Sequence, residues 1–183
     1  MIWRGNMETI ALIVGLCAVI LCLLCYQFRN RKAIIACNVM SRVLYVLQYV
    51  LLGAFEGAAM DLSAIPASML AARKHTSFVE KHKALTWLIG NIAVVIIGWI
   101  FWENIISLLP IIGVLFEINA LWMTKEKHIR LVSLASVPFW MSYNMLCGAW
   151  GSVIGNVLMI VSIGTAMYRH DRTNTKKEDR VSV

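Results

Sequence analysis

Gly53-Ala54-Phe55 and Gly148-Ala149-Trp150 are near-copies of one short turn, set 95 residues apart. Sliding the chain over itself by that distance needs no gap. Glu8 then falls on Glu103, Lys32 on Lys127, Ser41 on Ser136, Asp61 on Asn156 and His75 on His170. Leu and Ile matches weigh little in an apolar chain, but glycines and polar residues recurring in register weigh more. The pattern describes two similar three-helix units, residues 1–83 and 102–169. A linker helix over 84–101 separates them, and a polar tail over 170–183 follows.

Between its turns the chain is strongly apolar. Hydrophobic residues make up 60% of its 183 positions and charged residues 15%, where a soluble domain carries about a quarter charged. Blocks near the ~20 residues that cross a bilayer stand at Thr9–Phe28, Ala33–Leu52, Gly57–Ala72, Ala84–Phe101, Ile105–Met123, Leu131–Leu146 and Ser152–Tyr168. Each must be helical, because an unpaired backbone amide in hydrocarbon costs several kcal/mol. The expected fold class is therefore all-α: a polytopic membrane protein of seven transmembrane helices in a 3+1+3 parallel-repeat arrangement, an organisation found among transporters.

The net charge of +7 would suggest nucleic acid if it formed one face. Instead, 15 of the 17 Lys and Arg residues lie in three connections and the tail, among them Arg29, Arg31, Lys32, Arg73, Lys74, Lys81, Lys83, Lys125, Lys127 and Arg130. The positive-inside rule places those segments in the cytoplasm, with the N-terminus outside and the C-terminus in the cytoplasm. Trp3, Trp99, Trp102 and Trp150 then fall near the outer boundary, and Tyr26, Trp87, Trp122 and Tyr168 near the inner one. The partners expected on this basis are the lipid bilayer and a small molecule, with a homo-oligomer left open and no nucleic acid.

Enzymatic motifs are lacking. The sequence has no H-E-x-x-H, no Gly-rich phosphate loop and no grouped Ser/His/Asp set, so neither an enzyme, a cofactor nor a metal is expected. Cys22-Leu-Leu-Cys25 has redox spacing, but it stands in an apolar span where a thiolate is disfavoured. Arg4 ahead of an apolar stretch suggests a signal peptide; the missing A-x-A site and the basic residues that close the stretch favour a retained span.

Three ionisable residues lie within expected spans: Arg42, Asp61 and Glu117. A mid-bilayer charge costs at least about 2.5–3.5 kcal/mol, so each needs a partner or water. At about 1.5 Å per residue, Arg42 sits roughly 14 Å and Glu117 roughly 10 Å from the inner boundary, and Asp61 about 7 Å from the outer one. Depth therefore pairs Arg42 with Glu117, as a latch or as a structural ion pair. Asp61 and Asn156, related by the repeat, form the other half of a candidate site, and Asp61 is a candidate for proton coupling. Asn38, Arg42, Tyr45 and Tyr49 share one helical face, and their repeat mates are Ser133, Val137, Trp140 and Asn144. Tyr45 and Trp140 would face the seam symmetrically, either stacking on a ligand or forming an aromatic core.

The overall pattern resembles the SWEET sugar-transporter and PQ-loop (MtN3-like) superfamily. More closely, the chain resembles the YgjV family of bacterial inner-membrane proteins. Trp102-Glu-Asn-Ile-Ile-Ser-Leu-Leu-Pro-Ile-Ile-Gly113, Pro138-Phe-Trp-Met-Ser-Tyr-Asn144 and Gly148-Ala-Trp-Gly-Ser-Val-Ile-Gly155 carry that likeness. The resemblance implies a multi-pass protein of the bacterial plasma (inner) membrane. In SWEET relatives, asparagines of the third and seventh spans line the pocket, which maps onto Asp61 and Asn156. Their hinge prolines correspond to Pro110 and Pro138 in the second unit, with Gly15 and Val43 in the matching first-unit positions. The substrate-binding set expected is Asp61, Asn156, Tyr45, Trp140 and Asn144, gated by Arg42 and Glu117. The function expected is small-molecule transport by alternating access; the alternative is a non-transporting receptor or assembly protein.

Overall fold

A computed structural model describes residues 2–25, 31–74 and 76–168. Tyr26, Arg29, His75, His170 and the tail therefore lie outside the described residues, as do the side chains of Trp3, Arg4, Cys25, Arg31, Lys32 and Asn38. The described chain is helical throughout. In order, the helices are α1 (Ile2–Cys25), α2 (Arg31–Leu52), α3 (Phe55–Ala72), α4 (Ser77–Lys81), α5 (Lys83–Ile100), α6 (Leu108–Trp122), α7 (Glu126–Leu146) and α8 (Trp150–Ala166). A 3-10 turn, Ile105–Ser107, leads into α6. There Asn104 Oδ1 accepts from the Ile106 amide at 2.8 Å, and Ser107 Oγ accepts from the Glu103 and Asn104 amides at 3.2 and 3.3 Å. These bonds satisfy donors that a helix start otherwise leaves open.

The all-α expectation holds, but the seven-span, 3+1+3 arrangement is corrected. Three described stretches are long and apolar enough to cross a membrane: Met7–Leu24, Lys83–Ile100 and Ile105–Trp122. Val39–Leu52 and Trp150–Ala166 are shorter apolar helices. The physical reason is polar content. The helix α2 opens on Arg31-Lys32 and carries Arg42 inside, α3 holds Glu56 and Asp61, and α7 begins Glu126-Lys-His-Ile-Arg130. The short α4 falls within residues 1–83, and α5 lies between the two similar units. The N-outside orientation rested on the Lys and Arg bias and on an odd span count, not on seven in particular.

The 95-residue repeat does have a local structural counterpart. Gly53 and Gly148 both take φ 73°, a left-handed conformation that glycine enters without steric penalty. Each turn closes the same way, with the Ala54 amide donating to the Tyr49 carbonyl at 2.9 Å and the Ala149 amide to the Asn144 carbonyl at 2.8 Å. A six-residue loop of hydrogen-bonded chain is thus reproduced at both sites.

Within each trio, α2 packs on α1 and α3, and α7 on α6 and α8. The trios meet at two seams, α1 against α8 and α3 against α6. The helix α5 lies on α3 and α6, beside the second seam. The core is centred there, with Met60 and Ala64 of α3, Val94 of α5, and Val114 and Ile118 of α6 almost fully buried. The other face of α5 exposes Leu85, Leu88, Ile89, Ile92, Val95 and Ile96. An apolar face of that extent belongs against lipid tails rather than water.

Candidate functional site

Three charged side chains meet inside the bundle. From α2, Arg42 Nη1 donates to Asp61 Oδ1 of α3 at 2.7 Å, and Nη2 reaches Glu117 Oε2 of α6 at 3.4 Å. Asp61 is 5% exposed and belongs to the buried set. The Glu117 side chain is more open, at 21%. Asp61 was expected half a bundle away from Arg42, yet it is the nearer of the two partners. Depth counted along separate helices ignores helix tilt and the reach of the long arginine side chain. One guanidinium therefore faces two carboxylates, a formal charge of −1 when both are ionised.

Around this trio the chain places further polar groups. Cys22 of α1 is within electrostatic range of Arg42, Glu117 and Asp61. Trp140 of α7 stands beside Glu117, and Arg42 Nε is buried without a hydrogen-bond partner. Unpaired buried donors are uncommon, and each one costs desolvation free energy.

Trp140 stacks on Tyr49, with ring centroids 6.2 Å apart and planes at 18°. Tyr45 is half-buried, and its hydroxyl lies close to Gly155 of α8. Asn144 accepts from the Tyr49 hydroxyl at 2.6 Å. These two residues are repeat mates, so their contact marks where the two similar units meet face to face. Asn156 sits apart on α8, half-buried, with its amide nitrogen buried and unpartnered. Asp61 and Asn156 are thus repeat-related, yet the Asn156 amide nitrogen does not bond Asp61. Of the two prolines matched to hinges, Pro110 lies in the first turn of α6, where proline fits without breaking a helix. Pro138 is interior to α7.

Two polar contacts between trios escaped the sequence. The Ser152 hydroxyl donates to Gln48 Oε1 at 2.6 Å, and the Gly57 amide donates to the Tyr143 hydroxyl at 2.9 Å. They are repeat equivalents, since Gln48 corresponds to Tyr143 and Gly57 to Ser152. Glu56, in the first turn of α3, is only 8% exposed. The Ser107 and Tyr143 hydroxyls stand 3.5 Å from its carboxylate oxygens. Its place in the first turn of α3 favours an anion there, and the Gly53 turn just upstream was the available clue.

Comparison with known proteins adds one firm result. No curated protein and no solved structure matches the chain. A family described as bacterial inner membrane proteins, Imp-YgjV, matches residues 9–174, nearly the whole length. The three apolar helices long enough to span and the lipid-suited face of α5 agree with that description. The chain belongs to the Imp-YgjV family, and it is a multi-pass helical protein of the bacterial inner membrane.

Proposed function

We propose that the protein is a small-molecule transporter or facilitator that works by shifting one helix trio, α1–α3, against the other, α6–α8. The observation that carries this reading is the Arg42–Asp61–Glu117 cluster, which crosses from one trio to the other. At the repeat-equivalent positions the chain has Val137, Asn156 and Cys22. The equivalent seam is therefore built without charge, and charge is not a requirement of this packing. Buried ion pairs generally add little net stability over apolar replacements, so function is the better reason for keeping one.

Alternating access gives such a cluster a role. Arg42 shared between α3 of its own trio and α6 of the other ties them together in one state and releases them when Glu117 leaves. The weaker arm, at 3.4 Å, is the one that crosses between trios.

The test is uptake by vesicles reconstituted with the purified chain, screened across sugars, vitamins and small acids. Accelerated flux of at least one solute is expected. Flux should be lost in R42D and in D61R and regained in the R42D/D61R double variant, since Asp61 is the tighter partner. No accelerated flux from correctly inserted protein would sink the proposal and favour a receptor or assembly role.

A further inference from the structure

A cleft of about 420 Å³ lies at the other edge of α5, lined by Lys83, Ala84, Trp87 and Trp122. Its size falls within the roughly 300–1,000 Å³ range of small-molecule sites, and it is open on one side. The walls come from the first turns of α5 and the last residue of α6. Both helices belong to candidate membrane spans, Lys83–Ile100 and Ile105–Trp122, and the cleft sits at the ends of those spans. In a bilayer that is the headgroup level, where tryptophan concentrates.

The cleft is held in shape. Trp87 Nε1 donates to Asn119 Oδ1 at 2.6 Å, and Asn119 Nδ2 donates to Asn91 Oδ1 at 2.7 Å, so α5 and α6 are joined by a short polar ladder. Lys74 Nζ donates to the carbonyls of Leu121 and Met123, at 3.0 and 2.8 Å, fixing the backbone on both sides of Trp122. The Trp87 N–H is committed to Asn119, which leaves its ring for an apolar contact. Lys83 is exposed at the rim, and exposed Leu88 and Val95 follow Ala84 along nearly the same side of α5.

We infer that this cleft binds the headgroup of an anionic phospholipid. Lys83 meets the phosphate, and the indole faces of Trp87 and Trp122 cover the glycerol and upper acyl carbons. The acyl chains run along Leu88 and Val95. A free phosphate would use the lysine alone and leave the two indoles without an occupant. An amphiphile uses both features, a cation at headgroup level and apolar surface beside it. The inference does not rest on the transport proposal, because it involves neither the charged cluster nor movement between trios.

The experiment is thermal unfolding of the full chain in a neutral maltoside detergent, with added phosphatidylglycerol, phosphatidylcholine or inorganic phosphate. Ligands that bind only the folded state raise the unfolding midpoint. Phosphatidylglycerol is expected to raise it by several degrees and the other two to leave it unchanged. K83Q and W122L should each remove most of that rise. K83R should retain it, and so should K81Q, whose lysine is exposed on α4 outside the cleft. Equal rises with phosphatidylcholine or inorganic phosphate would overturn the inference, as would a full rise in K83Q. Native mass spectrometry then counts retained lipids in the same samples, with one fewer phosphatidylglycerol expected in K83Q.

Discussion

The α3–α6 seam and the α1–α8 seam are made of repeat-related residues, yet they are held by different chemistry. At α3–α6, Arg42 reaches Asp61 and Glu117, Glu56 stands by Ser107 and Tyr143, and α5 covers the outside. At α1–α8 the fit is one of shape. A Cβ built on Gly151 would come within 2.9 Å of the Gly15 backbone, so the two helices touch main chain to main chain. Ser152 bonds Gln48 beside that contact. One duplicated plan thus supports both a charged seam and a neutral one. Charge is an addition to the plan, not its foundation.

The largest effect should come from removing the cation. R42M leaves two carboxylates in the bundle with no positive partner, and breaking a buried pair in this way costs on the order of 3–5 kcal/mol. Thermal unfolding in detergent should show it as the greatest loss among the variants considered. The neutral seam should be broken by volume instead. G151A pushes a methyl into Gly15 main chain, which has no flexible end to move aside, and overpacking of that kind costs about 1–3 kcal/mol. The same unfolding assay checks it, and G53A, which strains a left-handed turn without any crowding, provides a comparison.

Between the seams, Y49F removes the hydroxyl that bonds Asn144 and leaves a buried acceptor unmatched, an effect of about 1–3 kcal/mol. The smallest stability change belongs to E117Q. Its contact with Arg42 is long and partly open to solvent, so under about 1 kcal/mol is expected. A large loss from E117Q would mean that the charged seam is held together through Glu117, and the contrast between seams would then be one of strength rather than purpose.

The repeat was legible because its turns impose a backbone requirement. Only a residue free to enter the left-handed region closes both turns, and Gly53 and Gly148 are that residue in both copies. The number of spans was not legible, because an apolar block and a bilayer-length apolar helix differ by a few interior polar residues. Arg42, Glu56 and Asp61 are those residues, and other helices shelter them. Arg42, Asp61 and Glu117 could be selected as a group by the cost of burying charge. Which carboxylate lies nearer could not be, since that depends on tilt and side-chain reach. Tyr45 and Trp140 show the limit of symmetry arguments: these mates in sequence occupy different surroundings, Trp140 against Tyr49 and the Tyr45 hydroxyl near Gly155.

The most direct test measures E117Q twice, by unfolding in detergent and by flux in reconstituted vesicles of the solute that the unaltered chain accelerates most. Charge kept for function predicts an unfolding midpoint close to that of the unaltered protein together with flux reduced at least tenfold. Unchanged flux in E117Q, or a loss of flux no greater than its loss of folded protein, would contradict it.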